Sequence, residues 1–110
     1  TLSSRALRPA GYEILTAGNG ETAMAILRSR AVGVIVSDFS MPGMNGAQLL
    51  AQAAALQPAT LRIIVSGQTM NRAMQAGLRK GEIHYYFEKQ HSYEPVQACI
   101  RDWLDAQRGR

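Results

Sequence analysis

The feature that most constrains the fold of this chain is an alternation of two kinds of segment. Short runs rich in β-branched and aromatic residues occupy residues 13–17, 33–37, 61–66 and 84–87. The stretches that follow them are rich in Ala, Leu and Met, with apolar residues at helical spacing, and they occupy residues 21–30, 47–56, 69–80 and 93–107. This alternation is typical of an α/β fold with a parallel sheet. The run at 33–37 lacks polar alternation, which predicts a central strand covered on both faces.

The bulk composition limits the chain to one globular domain. Of its 110 residues, 46% are apolar, which is enough for a core, and 18% are charged, which is too few for a disordered segment. The net charge is +4, but the basic residues are scattered and are not interleaved with aromatics, so we expect no direct nucleic-acid binding. We see no apolar run near membrane-spanning length and no signal peptide, so we expect no membrane span. The single cysteine, Cys99, fits a reducing compartment, and we expect a cytoplasmic location.

The opening of the sequence predicts that the sheet begins before this chain does. Residues 1–10 (TLSSRALRPA) have the pattern of the last turns of a helix running into a strand. A parallel α/β sheet normally starts with a strand. We therefore expect that a first strand and part of a first helix are missing from residues 1–110.

Three polar residues follow three different predicted strands. Asp38 comes after GVIVS, Ser66 ends LRIIVS, and Lys89 follows HYYFE. Ligand sites in open parallel sheets form at the carboxyl ends of the strands, so these residues can face a common point. A carboxylate can attack a phosphoryl group, and a hydroxyl and an ammonium can then bind the transferred oxygens. Pro42 and the glycines after Asp38 predict a tight loop that keeps the carboxylate open to solvent.

The segment SDFSMPGMNG resembles the phosphoacceptor loop of response-regulator receiver domains of two-component systems. GYEILTAGNGETAMAIL, LRIIVSG and YYFEK are similar to other segments of that family, in the same order, so the resemblance covers essentially the whole chain. It implies a flavodoxin-like, doubly wound, three-layer α/β/α fold. The implied strand order is 2-1-3-4-5, with the first strand absent from this chain.

The resemblance also implies roles for individual residues. Asp38 would be the phosphate acceptor, Ser66 the switch hydroxyl, Lys89 the phosphate-pairing base and Tyr86 the switch aromatic. Asp38 and the backbone carbonyl of Ser40 would be ligands of Mg²⁺. The implied partners are a sensor histidine kinase and a C-terminal output domain. A homodimer would form through the face of the family's fourth helix, fifth strand and fifth helix.

Two departures from the family pattern affect the site. The family's acidic pair, which holds the Mg²⁺, ends the first strand, and neither the pair nor that strand is in this sequence. We therefore expect this chain to bind Mg²⁺ weakly or not at all. Lys89 is followed by Gln90 where the family usually has Pro. A cis bond there would cost about 2.5–4 kcal/mol in place of about 0.5–1 kcal/mol, so the placement of Lys89 is left open.

Each of these residues also has a structural interpretation. Asp38 is typical of a turn, Ser66 of a helix cap, Lys89 of a solvated surface and Tyr86 of half-buried strand packing. His84 and His91 form no metal-ligand spacing with the single Cys99, which falls on the apolar stripe of the last helix. Trp103 on that helix fits either the core or a dimer face.

Two functions remain in competition at this point. The first is a phosphoacceptor signalling domain that is not an enzyme beyond self-catalysed phosphotransfer and dephosphorylation. The second is a degenerate receiver that binds partners without phosphate.

Overall fold

The computed structural model describes residues 13–89 and 93–108. Four strands and four helices alternate in these ranges: β1 Ile14–Ala17, α1 Gly20–Ser29, β2 Val34–Asp38, α2 Gly46–Leu56, β3 Leu61–Ser66, α3 Arg72–Lys80, β4 Tyr85–Glu88 and α4 Glu94–Arg108. The predicted alternation is confirmed, and most boundaries agree to within a residue. The predicted helix over residues 1–10 and the Lys89–Gln90 bond lie outside the described residues.

Asparagine residues fix where three of the helices begin. The side chains of Asn19, Asn45 and Asn71 accept hydrogen bonds from the backbone N–H groups of α1, α2 and α3 respectively. For α2 the cap is reciprocal, because the side chain of Gln48 accepts from the N–H of Asn45. The prediction that α3 starts at residue 69 was wrong, since the cap at Asn71 leaves the residues before it in a loop.

All four strands are parallel, and their spatial order is β1-β2-β3-β4. The predicted order 2-1-3-4-5 uses the family's numbering, in which β1 and β2 of this chain are the second and third strands. It therefore places the family's first strand between β1 and β2, and this part of the prediction was wrong. Ile14 pairs directly with Val34, and no strand of the described residues lies between them. The reason is that backbone N–H and C=O groups in a buried strand need partners, so β1 and β2 pair with each other.

The helices lie on both faces of the sheet, which confirms the three-layer architecture. On one face, α1, α2 and α3 pack over Ile35 and Ile64, both fully buried. On the other face, Val96, Ile100 and Leu104 of α4 pack over the alternate residues of β2 and β3. The run at 33–37 is thus a strand covered on both sides, as predicted. No helix among the described residues has both the length and the apolar character needed to cross a membrane.

Candidate functional site

Asp38 and Lys89 meet at the carboxyl edge of the sheet. Asp38 is the last residue of β2, and Lys89 directly follows β4, two strands away. The Nζ of Lys89 donates to Oδ2 of Asp38 at 2.5 Å. The Asp38 side chain is 31% exposed and the Lys89 side chain 47%, so the pair is open to solvent. The hydrogen bond to Asp38 and the attraction of its charge raise the pKa of Lys89.

The loop after Asp38 folds back onto its own start. The N–H of Gly46 donates to the carbonyl of Phe39 at 2.8 Å, and the hydroxyl of Ser37 donates to the carbonyl of Asp38 at 2.8 Å. A Cβ on Gly46 would lie 2.4 Å from the carbonyl oxygen of Asp38, so glycine is required by this close approach. Gly43 has φ +81°, which also favours glycine. These contacts fix the backbone that presents the Asp38 carboxylate.

Ser66 lies at the same edge, at the end of the strand between Asp38 and Lys89. Val65 is the register partner of Asp38, and Ser66, 1% exposed, is the next residue. Its carbonyl accepts from the N–H of Lys89 at 2.7 Å, which ties the two strand ends together. Its hydroxyl oxygen accepts from the N–H of Gln68 at 3.0 Å. Ser66 is not the cap of the next helix, because Asn71 caps α3.

Gln68 is a member of this site that the sequence analysis did not single out. Its side-chain amide donates to the hydroxyl of Ser40 at 2.8 Å, and its carbonyl accepts from the hydroxyl of Tyr86 at 2.6 Å. Together with the bond to Ser66, these contacts connect three parts of the site: the loop after Asp38, the end of β3, and strand β4. The only signal in the sequence was its position, two residues after the end of a predicted strand.

Tyr86 is half-buried, and its ring packs against the apolar cluster beneath α1, α2 and α3. Its hydroxyl points to the carboxyl edge of the sheet, where it reaches Gln68. Burial and the nearby charge of Glu88 raise the pKa of the phenol. Tyr86 therefore combines strand packing with a direct hydrogen bond into the loop after Ser66.

The described residues do not fit the Mg²⁺ site of the family. No group of three or more His, Cys, Asp or Glu residues gathers in residues 13–89 and 93–108. The strand beside β2 ends in Ala17, followed by Gly18 and Asn19, and the side-chain oxygen of Asn19 is already bonded to the start of α1. Asp38 has Lys89 as its counter-ion. Asp38 is thus a single carboxylate where hard divalent cations prefer several oxygen ligands.

His84, Cys99 and Trp103 lie away from this edge. His84 is exposed and contacts Arg62 at the start of β3. Cys99 is half-buried on α4, and burial and the charge of Asp102 raise the pKa of its thiol. Trp103 lines a groove between β4 and α4. His91 lies outside the described residues.

Comparisons with known proteins agree on one family. The family described as "Response regulator receiver domain" matches residues 1–101. The DNA-binding transcriptional regulator NtrC of Salmonella typhimurium is 30% identical over 109 residues, covering 96% of this chain and 23% of NtrC. The hydrogenase transcriptional regulatory protein HoxA of Cupriavidus necator is 29% identical, over 87% of this chain and 20% of HoxA. The chain thus spans about a fifth of the length of these relatives.

Solved structures show the same fold. A signal receiver domain of an HD domain-containing protein from Pseudomonas fluorescens matches with a TM-score of 0.73 and 27% identity, over 84% of this chain and 74% of that one. A CheY-like receiver domain protein from Methanospirillum hungatei matches with a TM-score of 0.76 and 23% identity, over 90% of this chain and 78% of that one. The predicted flavodoxin-like α/β class is confirmed, while the bounds 1–110 of the domain stay a prediction.

Proposed function

Since the chain belongs to the response regulator receiver domain family, we propose that it is a phosphoacceptor signalling domain in which Asp38 takes a phosphoryl group from a sensor histidine kinase. Receiver domains are signalling domains rather than true enzymes. The observation that carries the proposal is the pairing of Asp38 with Lys89 at the carboxyl edge of the sheet, beside Ser66.

The arrangement supports a direct transfer to Asp38. The Oδ2 of Asp38 is bonded to Lys89, and the loop contacts of Gly46 and Ser37 fix the backbone behind the carboxylate. The other carboxylate oxygen would form the new bond to phosphorus while the bond from phosphorus to the donor histidine nitrogen breaks. The electron pair of the breaking phosphorus–nitrogen bond leaves with the imidazole of the donor histidine. Lys89 would then neutralise an oxygen of the acyl phosphate through a charge-assisted hydrogen bond.

The proposal includes Mg²⁺ as a weakly bound cation but assigns it no step. A response regulator protein of Thermotoga maritima, TrrA, was solved in complex with Mg(2+)-BeF, and it shares 22% identity with this chain. In such a site the cation supplies positive charge to a transferring phosphoryl group. Because the described residues lack the carboxylates for it, we assign no step to the cation here. We expect weak Mg²⁺ binding by this chain.

The switch would pass from Ser66 to the surface through Tyr86 and Gln68. A phosphoryl group on Asp38 offers new acceptors to the hydroxyl of Ser66, whose oxygen now accepts from Gln68. Movement of Ser66 would disturb the loop that holds the hydroxyl of Tyr86. We place the responding surface on α3, β4 and α4, where Tyr85 is 48% exposed and stacks on Phe87. A homodimer or an output domain would bind this face.

Because we expect this chain to bind Mg²⁺ weakly, the test is the intact mass of the protein after prolonged incubation with acetyl phosphate in a large excess of Mg²⁺. We expect an adduct of about 80 Da, the mass of one phosphoryl group. The adduct should be absent in Asp38→Ala and present in Asp102→Asn, which removes an exposed carboxylate on α4. An adduct that persists in Asp38→Ala contradicts the proposal.

A second candidate function is partner binding without phosphate. It is favoured by one observation: no cluster of metal-ligating residues lies among those described, so the described residues offer no carboxylates besides Asp38 for the cation that assists phosphoryl transfer. This candidate predicts no adduct, and unchanged partner binding by Asp38→Ala. Binding of a partner that rises after acetyl phosphate treatment would exclude it.

A further inference from the structure

The start of β4 is joined to β3 through the side chain of His84. The N–H of Arg62 donates to Nδ1 of His84 at 2.9 Å, and the N–H of His84 donates to the carbonyl of Arg62 at 2.9 Å. The imidazole nitrogen thus serves as the acceptor that a backbone carbonyl provides elsewhere in a parallel ladder. Because Nδ1 accepts this bond, it must carry a lone pair, and the neutral ring holds its proton on Nε2.

The guanidinium of Arg62 also faces the ring and cannot easily move away. Its Nη2 lies 3.3 Å from Nε2 of His84. Arg62 is 4% exposed, and its guanidinium donates to the carbonyls of Glu82, Gly81 and Thr60 at 2.8, 2.8 and 2.9 Å. Arg62 therefore offers two donors to His84. A neutral imidazole can satisfy one of them, and an imidazolium can satisfy neither.

The charges around His84 come from three elements. Arg62 on β3 is in direct contact, and Glu82 in the preceding loop is the carboxylate whose charge acts on Arg62. Arg79 and Lys80 end α3 just before that loop. Burial and the positive charge of Arg62 lower the pKa of His84. The surroundings thus favour the neutral ring.

We propose that His84 is a pH-sensitive connection between β3 and β4: the neutral ring accepts the Arg62 N–H, and the protonated ring releases it. His84 as a whole residue is exposed, although its ring nitrogens lie partly buried against Arg62, so the ring can turn into solvent when it is charged. Release would leave the N–H of the buried Arg62 without a partner, which is unfavourable. The strand affected is β4, which carries Tyr86 and leads into Lys89. Mild acid would therefore loosen the strand that leads to the phosphoacceptor site.

The sign of the effect follows from proton linkage. His84 prefers to be neutral in the folded protein, so as the pH falls the unfolded chain takes up this proton first. The contribution of His84 to stability is therefore complete above its ordinary pKa of 6.5 and is lost as the pH falls through that value toward the lower pKa of the folded state. Above neutral pH the connection should not respond to pH.

The test is amide hydrogen exchange measured by NMR, with each rate divided by its intrinsic value at the same pH. We expect the protection of the Arg62 amide to fall about tenfold between about pH 8 and about pH 5, relative to the Ile64 amide in the middle of β3. The Ile64 amide reports global unfolding, because Ile64 is fully buried.

Two variants separate titration from simple loss of the side chain. His84→Asn keeps an acceptor that does not titrate, so the protection of the Arg62 amide should become independent of pH. His84→Ala removes the acceptor, so protection should be low at every pH. In the wild type the ring signal of His84 should titrate together with the Arg62 amide. The proposal is overturned if Arg62 and Ile64 keep a constant ratio of protection, or if His84→Asn keeps the acid response of the wild type.

Discussion

At the scale of single residues, Gly46 is the position in the loop after Asp38 that is least able to accommodate a side chain. A Cβ there would lie 2.4 Å from the Asp38 carbonyl oxygen and 2.8 Å from Cδ1 of Ile64. Gly46→Ala should therefore lower the free energy of unfolding by about 1–3 kcal/mol, because backbone must shift to admit one methyl group. Urea denaturation measures this change.

Gly67 provides the matched control for that substitution. A Cβ on Gly67 would meet no atom within 4 Å, and its φ is not positive. Gly67→Ala should change the free energy of unfolding by less than about 1 kcal/mol. Equal effects of the two alanines would show that the close approach at Gly46 is not a constraint.

The residues of the site also show which parts of it can be predicted from the sequence alone. That Asp38 and Lys89 lie at one edge follows from their positions after apolar strands, and the structure brings them within 2.5 Å. Gln68 could not be found this way. Its contacts depend on the path of the loop between β3 and α3, which is set by the cap at Asn71 and by the hydroxyls of Ser40 and Tyr86. Such contacts leave no periodic pattern in the sequence.

At the scale of elements, the side chain of Gln57 connects α1 to the loop before β3. Its oxygen accepts from the N–H of Val32 at 2.8 Å, and its amide donates to the carbonyls of Leu27 and Arg30 at 2.7 and 2.9 Å. Gln57→Ala should lower the free energy of unfolding by about 1–3 kcal/mol, because it leaves partly buried backbone groups without partners. Thermal unfolding followed by circular dichroism measures it.

The control is Gln52→Ala on α2, the helix that ends just before Gln57. Gln52 is exposed, and its amide reaches only the sulfur of Met44, at 3.8 Å. Its removal should leave the melting temperature nearly unchanged. The role assigned to Gln57 would be refuted if both variants melted at the same temperature as the wild type.

The order of the strands is the element-scale feature that the sequence did not reveal. Alternating patterns identify strands, but they do not say which strands are neighbours, and the order was carried over from the family. The pairing of Ile14 with Val34 closes the place that the family gives to its first strand. This pairing follows from the need of the backbone N–H and C=O groups of β1 and β2 for hydrogen-bond partners, and not from a pattern of residues.

At the scale of the whole molecule, α1, α2 and α3 cover one face of the sheet, and α4 packs on the other over a separate apolar cluster. Ile100, fully buried at the middle of α4, should be critical for that second layer. Ile100→Ala should lower the free energy of unfolding by about 2–5 kcal/mol, the usual cost of a core truncation. Arg101→Ala, at an exposed neighbouring position, should change it little.

The thiol of Cys99 offers an independent measure of the same packing. Because burial raises its pKa, the native thiol should react slowly with an alkylating reagent at neutral pH. Reaction should accelerate in Ile100→Ala, as α4 separates from the sheet more often, and should stay slow in Arg101→Ala. Identical rates in both variants would show that α4 is not held by this contact.

The central claim is that Asp38 accepts the phosphoryl group, and the most direct measurement locates the acyl phosphate in the chain. Borohydride reduction converts an aspartyl phosphate to homoserine, which tandem mass spectrometry assigns to a position. After treatment with acetyl phosphate, we predict homoserine at position 38 and at no other acidic residue. Homoserine at another aspartate, such as Asp102, or its absence from the whole chain would contradict the account.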